Sequence, residues 1–360
     1  MDKKCILKKA LKVSLCVILS LALIVVGYLG YVIFSYNRIA DNQTITPLKS
    51  GNDASLLLNT SYTAVIQNLG FGAYTQDFTF FMDGGTQSWA ESKESVITCI
   101  NKGADKVSEF NPDFILFQEV DFDSTRSYHI NQREMLEKRF KNYSSAFAVN
   151  YHSAFLAYPF TQPHGASNSG LLTLSNVNIT ACKRRSLPIS ESLSKFLDLD
   201  RCYSVSRIPV ENGKELVLYN VHLSAYGGSD EIRTAQMTML FNDIKSEYEK
   251  GNYTVCGGDF NHDFTGDSTQ KLNGGQKVDF GWAQPFPEKL LPECITRCVN
   301  YESLTPTCRN CDIPYKKGNF TIIVDGFLVS QNVEAVKVQN IDTEFTYSDH
   351  NPVVLEFKLK

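Results

Sequence analysis

Residues 13–34 form an uncharged, mostly apolar run of 22 residues, close to the roughly 20 that a helix needs to cross a hydrocarbon core. Ser14, Ser20, Gly27 and Gly30 interrupt it only with small side chains, which membrane helices tolerate. Lys3, Lys4, Lys8, Lys9 and Lys12 precede the run, whereas Arg38 and Asp41 offset each other after it. The positive-inside rule therefore keeps the N-terminus cytoplasmic and exports the rest. A cleaved signal peptide would have a shorter apolar region and a small-x-small site. Here the run ends in the bulky Val32, Ile33 and Phe34, with Tyr36 beyond. The expectation is a single-pass cell-membrane protein: a basic cytoplasmic segment (1–12), a transmembrane helix (13–34), a polar linker (35–60) and one extracytoplasmic domain (61–360).

That domain is long enough, and at 43% hydrophobic residues over the chain apolar enough, to bury a large core. Seven basic and two acidic residues in 1–50 give +5, so with −4 for the whole chain the remainder carries −9. A broad basic track for nucleic acid is disfavoured by that balance.

Short runs rich in β-branched and aromatic residues predict strands at 63–68, 114–117, 145–151, 170–175, 203–209, 216–221, 252–256, 321–328, 333–339 and 352–359. Helical spacing appears near 87–109, 131–140 and 229–248, the last with Ser229 as cap and Asp230 in its first turn. Many strands and few helices predict an α/β (α+β) domain of two packed sheets with helices outside.

The polar residues fall at the strand ends. Gly257-Gly258-Asp259-Phe260-Asn261 closes one apolar run with an acid and an amide two residues apart, a spacing that directs both to one side. The carboxylate can position a water and the amide can meet a phosphoryl oxygen. Glu119 follows a buried strand and needs a positive neighbour. With an amide such as Asn68 it suits Mg²⁺, which takes oxygen ligands. His222 and His350 each sit at a strand boundary, where an imidazole can exchange protons near neutrality. Asp325 lies inside an apolar run and needs a partner; His350 is the candidate, since a carboxylate behind an imidazole fixes its tautomer. The rival readings are an Asx-turn for Asp259, a rim ion pair with Arg or Lys for Glu119, and bonds to backbone amides alone for Asp325.

The ordered set Asn68, Gln118-Glu119, Asn220-x-His222, Gly258-Asp259-Phe260-Asn261, Asp325 and Ser348-Asp349-His350 resembles the endonuclease/exonuclease/phosphatase superfamily. That group includes deoxyribonucleases, sphingomyelinases and inositol 5-phosphatases. The resemblance implies a four-layer α/β/β/α sandwich of two mixed sheets and catalysis with Mg²⁺, for which Mn²⁺ can substitute. It implies Glu119 as the main metal ligand, assisted by Asn68 and Asp349. His350 with Asp325 would activate or orient water, a role shared with Asp259, while Asn261 and His222 would contact the scissile phosphate.

The expected activity is hydrolysis of a phosphoester or phosphodiester by in-line attack of water. A lipid head group or small phosphoester suits the acidic domain and its tether to a bilayer. An anchored nuclease and a non-catalytic binding protein are the alternatives. Arg126, after Glu119, is a possible phosphate contact or a surface residue. The stretches 182–202, with Lys183-Arg184-Arg185, and 294–311 are expected to rim the cleft. Cys294, Cys298, Cys308 and Cys311 could form two disulfides or a zinc site, and export favours disulfides. Cys99 and Cys256 read as buried thiols.

Overall fold

The computed structural model describes residues 3–360 except 193–194, 196–199, 226–228 and 275–283; at Lys3 and Lys4 it describes only the backbone. Helix α1 (Lys3–Ser35) contains the whole apolar run and leaves it almost entirely exposed. It is long and apolar enough to cross a membrane.

Strands follow as β1 (Gln43–Ile45) and β2 (Ser61–Asn68), then helix α2 (Lys93–Ser108), β3 (Phe114–Asp121) and helix α3 (Gln132–Arg139). Next come β4 (Ser144–His152), β5 (Asn168–Ser175), β6 (Ala181–Ser186), β7 (Cys202–Pro209) and β8 (Glu215–His222). After helix α4 (Asp230–Glu249) run β9 (Tyr253–Asp259), β10 (His262–Asp263), β11 (Gln284–Pro285), β12 (Ile295–Cys298) and β13 (Cys308–Arg309). The chain closes with β14 (Thr321–Ile322), β15 (Asp325–Ser330), β16 (Val333–Asn340) and β17 (Val353–Leu359).

Two mixed sheets result, one ordered β16-β17-β2-β3-β5-β4 and the other β1-β6-β7-β8-β9-β15-β12. The central strands β2, β3, β5, β8, β9 and β15 are largely buried, because both faces of the sheet are covered there. Along β3, Phe114 and Leu116 enter the core between the sheets, while Ile115 and Phe117 pack outward with Val96, Ile100 and Val107 of α2. On β8, Leu216 and Leu218 face inward; Val217 and Tyr219 face outward onto Leu240, Phe241 and Ile244 of α4. The two-residue alternation of a strand thus builds the expected four layers. Helices α2 and α4 lie between parallel neighbours, β2 with β3 and β8 with β9, whose connections must cross over.

Ser229 caps α4 by accepting from Ile232 N at 3.4 Å, as its sequence predicts. The helix expected from 87 starts only at Lys93, where Ser92 accepts from Ser95 N. The strand expected over 321–328 is split: β14 pairs with β13, and β15 joins β9.

Three further expectations are corrected. The linker is not a free tether: β1 pairs with β6, and Leu48, Asn52 and Leu56 bridge to Ser145, Val177 and Val210. The basic triplet does not rim the cleft, because β6 is a strand of the second sheet. Arg184 is buried, and Arg185 is neutralised by Asp41 and Asp243; residues 193–194 and 196–199 of that stretch lie outside the described residues. All ten cysteines carry free thiols. Cys298, Cys308 and Cys311 enter three different hydrophobic clusters, so neither paired disulfides nor one four-sulfur zinc site forms among them. Burial pushes the Cys298 and Cys308 thiols up to about 12. Cys99 and Cys256 are buried thiols as expected.

Candidate active site

Strand register assembles the site. Parallel pairing of β2 with β3 sets Asn68 beside Gln118, and parallel pairing of β8 with β9 sets His222 opposite Asp259. The antiparallel neighbour β15 places Asp325 opposite Asp259 from the other side. Gly258 makes this pairing possible. Its φ is +143°, and a Cβ there would lie 2.1 Å from the Val221 carbonyl oxygen.

Glu119 owes its direction to a bulge. Between Phe117 and Val120 the β3–β5 register shifts, and Glu119 takes the left-handed φ of +52°. An inserted residue bends a strand and re-aims its side chain, and the conformation costs on the order of 1–3 kcal/mol. Beneath it, Gln118 Nε2 donates to Asn220 Oδ1 at 2.8 Å, and Asn220 Nδ2 donates to Phe117 O and Leu172 O at 3.2 Å. Gln118 and Asn220 therefore bolt the two sheets together under the site.

His350 is the best-oriented group. Its Nδ1 lies 2.8 Å from Asp325 Oδ2, and its Nε2 faces Asp259 Oδ2 at 3.8 Å and Asp349 Oδ2 at 3.9 Å. Burial alone would lower its pKa, but Asp325 and the neighbouring acidic groups outweigh burial and hold it well above the ordinary imidazole value. Asp259 accepts from Asn261 N at 2.9 Å and Asn68 Nδ2 at 3.1 Å, and His222 Nε2 stands 3.5 Å away. Burial raises the Asp259 and Asp349 carboxyls to about 7, with Asp325 and Glu119 adding like charge respectively. Burial drives His222 the other way and keeps it neutral.

Every predicted site residue reaches this locality. Glu119, His222, Asp259, Asn261, Asp349 and His350 line one cavity of about 120 Å³, with Asn68 and Asp325 hydrogen-bonded behind them. Asn68 is a holder here: its oxygen accepts from Gly70 N at 2.9 Å, and its nitrogen donates to Glu119 and Asp259. Asn261 likewise spends its Nδ2 on Leu223 O at 2.8 Å.

The donor set fits a divalent cation. Burial and the Glu119 charge raise the cost of ionising Asp349, which His350 and Arg309 only partly offset, and hard ions take such oxygens. Asp259, Asp325 and His350 also bring donor atoms within 4.8 Å of one another. The Asp325–His350 hydrogen bond engages Oδ2 and Nδ1, while Asp325 Oδ1 has no hydrogen-bond partner among the described residues.

The sequence reading missed much of the cleft wall. Arg126 is not a surface residue but is buried at the cavity wall; Nη2 and Nε grip Asp121 at 2.9 and 3.1 Å, and its guanidinium stacks 3.8 Å over Phe71. Asn150, Tyr151 and His164 line the same cavity, and no local pattern marks them; Arg201 lines it too, as expected of the 182–202 stretch. Cys308, Arg309 and Asn310 do rim it, as expected of their stretch.

The sequence profile described as "Endonuclease/Exonuclease/phosphatase family" matches residues 100–350, more than half of the chain. The chain belongs to this family, whose members are hydrolases acting on phosphoester bonds. No curated protein matches it. Among solved structures, it is similar to an endonuclease/exonuclease/phosphatase from Beutenbergia cavernae DSM 12333, with TM-score 0.57, 14% identity and coverage of 83% of this chain and 72% of that one. A family protein from Bacteroides vulgatus gives 0.54 at 15% identity, covering 84% and 100%. ANGEL2, described as a 2',3'-cyclic phosphatase, gives 0.54 at 14% identity, covering 83% and 96%. At these identities the likeness shows the fold.

Proposed function

We propose that the protein is an Mg²⁺-dependent phosphoesterase held in a cell membrane by α1, with its catalytic domain on the extracytoplasmic side and a lipid head group or small phosphoester as substrate. The observation that carries this reading is the convergence of the Asp325–His350 pair, Asp259 and the Glu119–Asp349 carboxylates on one cavity. Glu119 and Asp349 would hold the ion, with Asn68 bracing Glu119. When bound, Mg²⁺ supplies positive charge against the phosphoryl oxygens.

Asp259, fixed by Asn261 N and Asn68 Nδ2, is placed to take a proton from attacking water. His350, oriented by Asp325 through Nδ1, keeps Nε2 toward the cavity and donates to the developing charge. His222, neutral and beside Asp259, contributes a second ring nitrogen to the same wall. The net −9 of residues 51–360 supports a compact substrate over a polyanion.

The test is turnover by the full chain in detergent, with Mg²⁺ or with EDTA. The panel comprises sphingomyelin, phosphatidylinositol derivatives, inositol and sugar phosphates, RNA and plasmid DNA. Mg²⁺-dependent release from a lipid or small phosphoester is expected. Activity confined to DNA or RNA would replace this reading with a nuclease, and no activity throughout would leave a binding protein.

A further inference from the structure

Residues 153–165, between β4 and β5, contain no Asp, Glu, Lys or Arg in a chain that is 21% charged. Their large apolar side chains point outward: Phe155 is 43% exposed, Tyr158 64% and Phe160 84%. The segment is nevertheless built in place. Ser88 N donates to Gln162 Oε1 at 3.0 Å, Trp89 Nε1 to Pro163 O at 2.6 Å, and Leu156 bridges to Gly165. A fixed loop that exposes aromatic rings without a charge has been shaped for an apolar or interfacial neighbour.

Helix α1 specifies that neighbour. Tyr28 Oη donates to Phe155 O at 3.2 Å and accepts from Ala157 N at 2.8 Å, and Tyr31 Oη accepts from Phe155 N at 3.2 Å. The helix end is itself pinned to the domain, where Tyr36 stacks on His152 and Ile39 N donates to Asp200 Oδ1. At a rise of about 1.5 Å per residue, Tyr28 lies roughly 9 Å below Phe34 along the helix. The whole 22-residue run spans about 33 Å, against a hydrocarbon core of about 30 Å. A loop bonded to Tyr28 therefore cannot stand clear of a bilayer that the helix crosses.

We infer that the loop carrying Phe155, Tyr158 and Phe160 is a second membrane contact, seated in the outer-leaflet interface beside α1, so that the catalytic cleft opens at the lipid surface. The inference rests on the proposed anchoring. Aromatic side chains belong at that depth, and their burial adds to the hold of a single helix. The cleft is adjacent: Phe81 packs against Tyr158 at 6.0 Å and against His164 at 5.8 Å, and His164 lines the catalytic cavity. Substrate would then enter laterally from the leaflet, with its phosphate meeting His350 and its apolar part staying in the membrane.

The test uses the full chain in phosphatidylcholine vesicles containing lipids brominated near the head group. Phe160→Trp and Tyr158→Trp are compared with Val336→Trp, an exposed position on β16 at the opposite edge of the sheet from β4. Alkaline carbonate extraction is run on each sample. Trp at 160 or 158 should lose roughly twofold of its fluorescence above the wild-type background, as an interfacial ring would, while Trp at 336 should not change. A chain that resists carbonate but shows no quenching at 158 and 160, or equal quenching at 336, overturns this inference alone. Release into carbonate overturns the anchoring, and this inference with it.

Discussion

His350 Nδ1 and Asp325 Oδ2 are 2.8 Å apart across two strand ends separated by 25 residues. The pairing consumes the ring nitrogen that faces the core and leaves Nε2 for the cavity. One carboxylate thus sets both the tautomer and the aim of the imidazole. His350→Ala should lower kcat on the order of 10²-fold or more, and Asp325→Asn should lie between it and wild type. Mg²⁺ affinity by titration calorimetry should be nearly unchanged in both. Wild-type turnover in both variants would remove the pair from the mechanism.

Glu119 is held in the left-handed region by the bulge, which aims its carboxylate into the cavity. Glu119→Gln keeps the shape but removes the charge, so Mg²⁺ binding should weaken by at least about tenfold, with kcat falling at fixed metal. Calorimetry that returned the wild-type affinity would exclude Glu119 as the main ligand.

The stability of the metal-free protein should record the buried acids. Asp349 has a folded pKa of about 7 against an ordinary 3.8, so the folded state holds a proton that the unfolded state releases. Its contribution to stability therefore falls as pH rises from about 4 to about 7. Asp349→Asn, melted in EDTA, should gain Tm over wild type near pH 8 and show no such gain near pH 4. Added Mg²⁺ should stabilise wild type above pH 7 much more than the variant. A gain independent of pH would mean that the carboxyl is not burdened by ionisation.

The cysteine arrangement gives a chemical count. All ten thiols are free, so alkylation of the unfolded, unreduced protein should modify all ten and release no zinc. Masses showing four protected cysteines would restore the disulfide reading.

Each of these experiments addresses residues that a local pattern could nominate. An apolar run followed by a polar residue is a strand end wherever the strand lies, so Asn68, Glu119, His222, Asp259, Asp325 and His350 could be picked from the chain. The Asn68 amide shows the limit of such reading. Its residue type suits a metal ligand, but its oxygen is committed to Gly70 N and its nitrogen to two carboxylates. Only the assembled hydrogen-bond network assigns its two ends.

By itself the sequence determined the membrane-length helix, the two-sheet layout and the polar residues at strand ends that are candidates for the site, because all three follow from hydrophobic periodicity and its interruptions over a few neighbouring residues. The tertiary structure decided what depends on distant partners. It paired 43–45 with 181–186 at one edge of the second sheet, sent the cysteines into separate clusters and bent Glu119 into the cleft. It also brought Arg126, Asn150 and Arg201 to the cavity wall and the loop at Phe155 against Tyr28. Pairing register and sheet packing carry no local signature: they are set by which strand finds which neighbour, and that choice is made by the whole core.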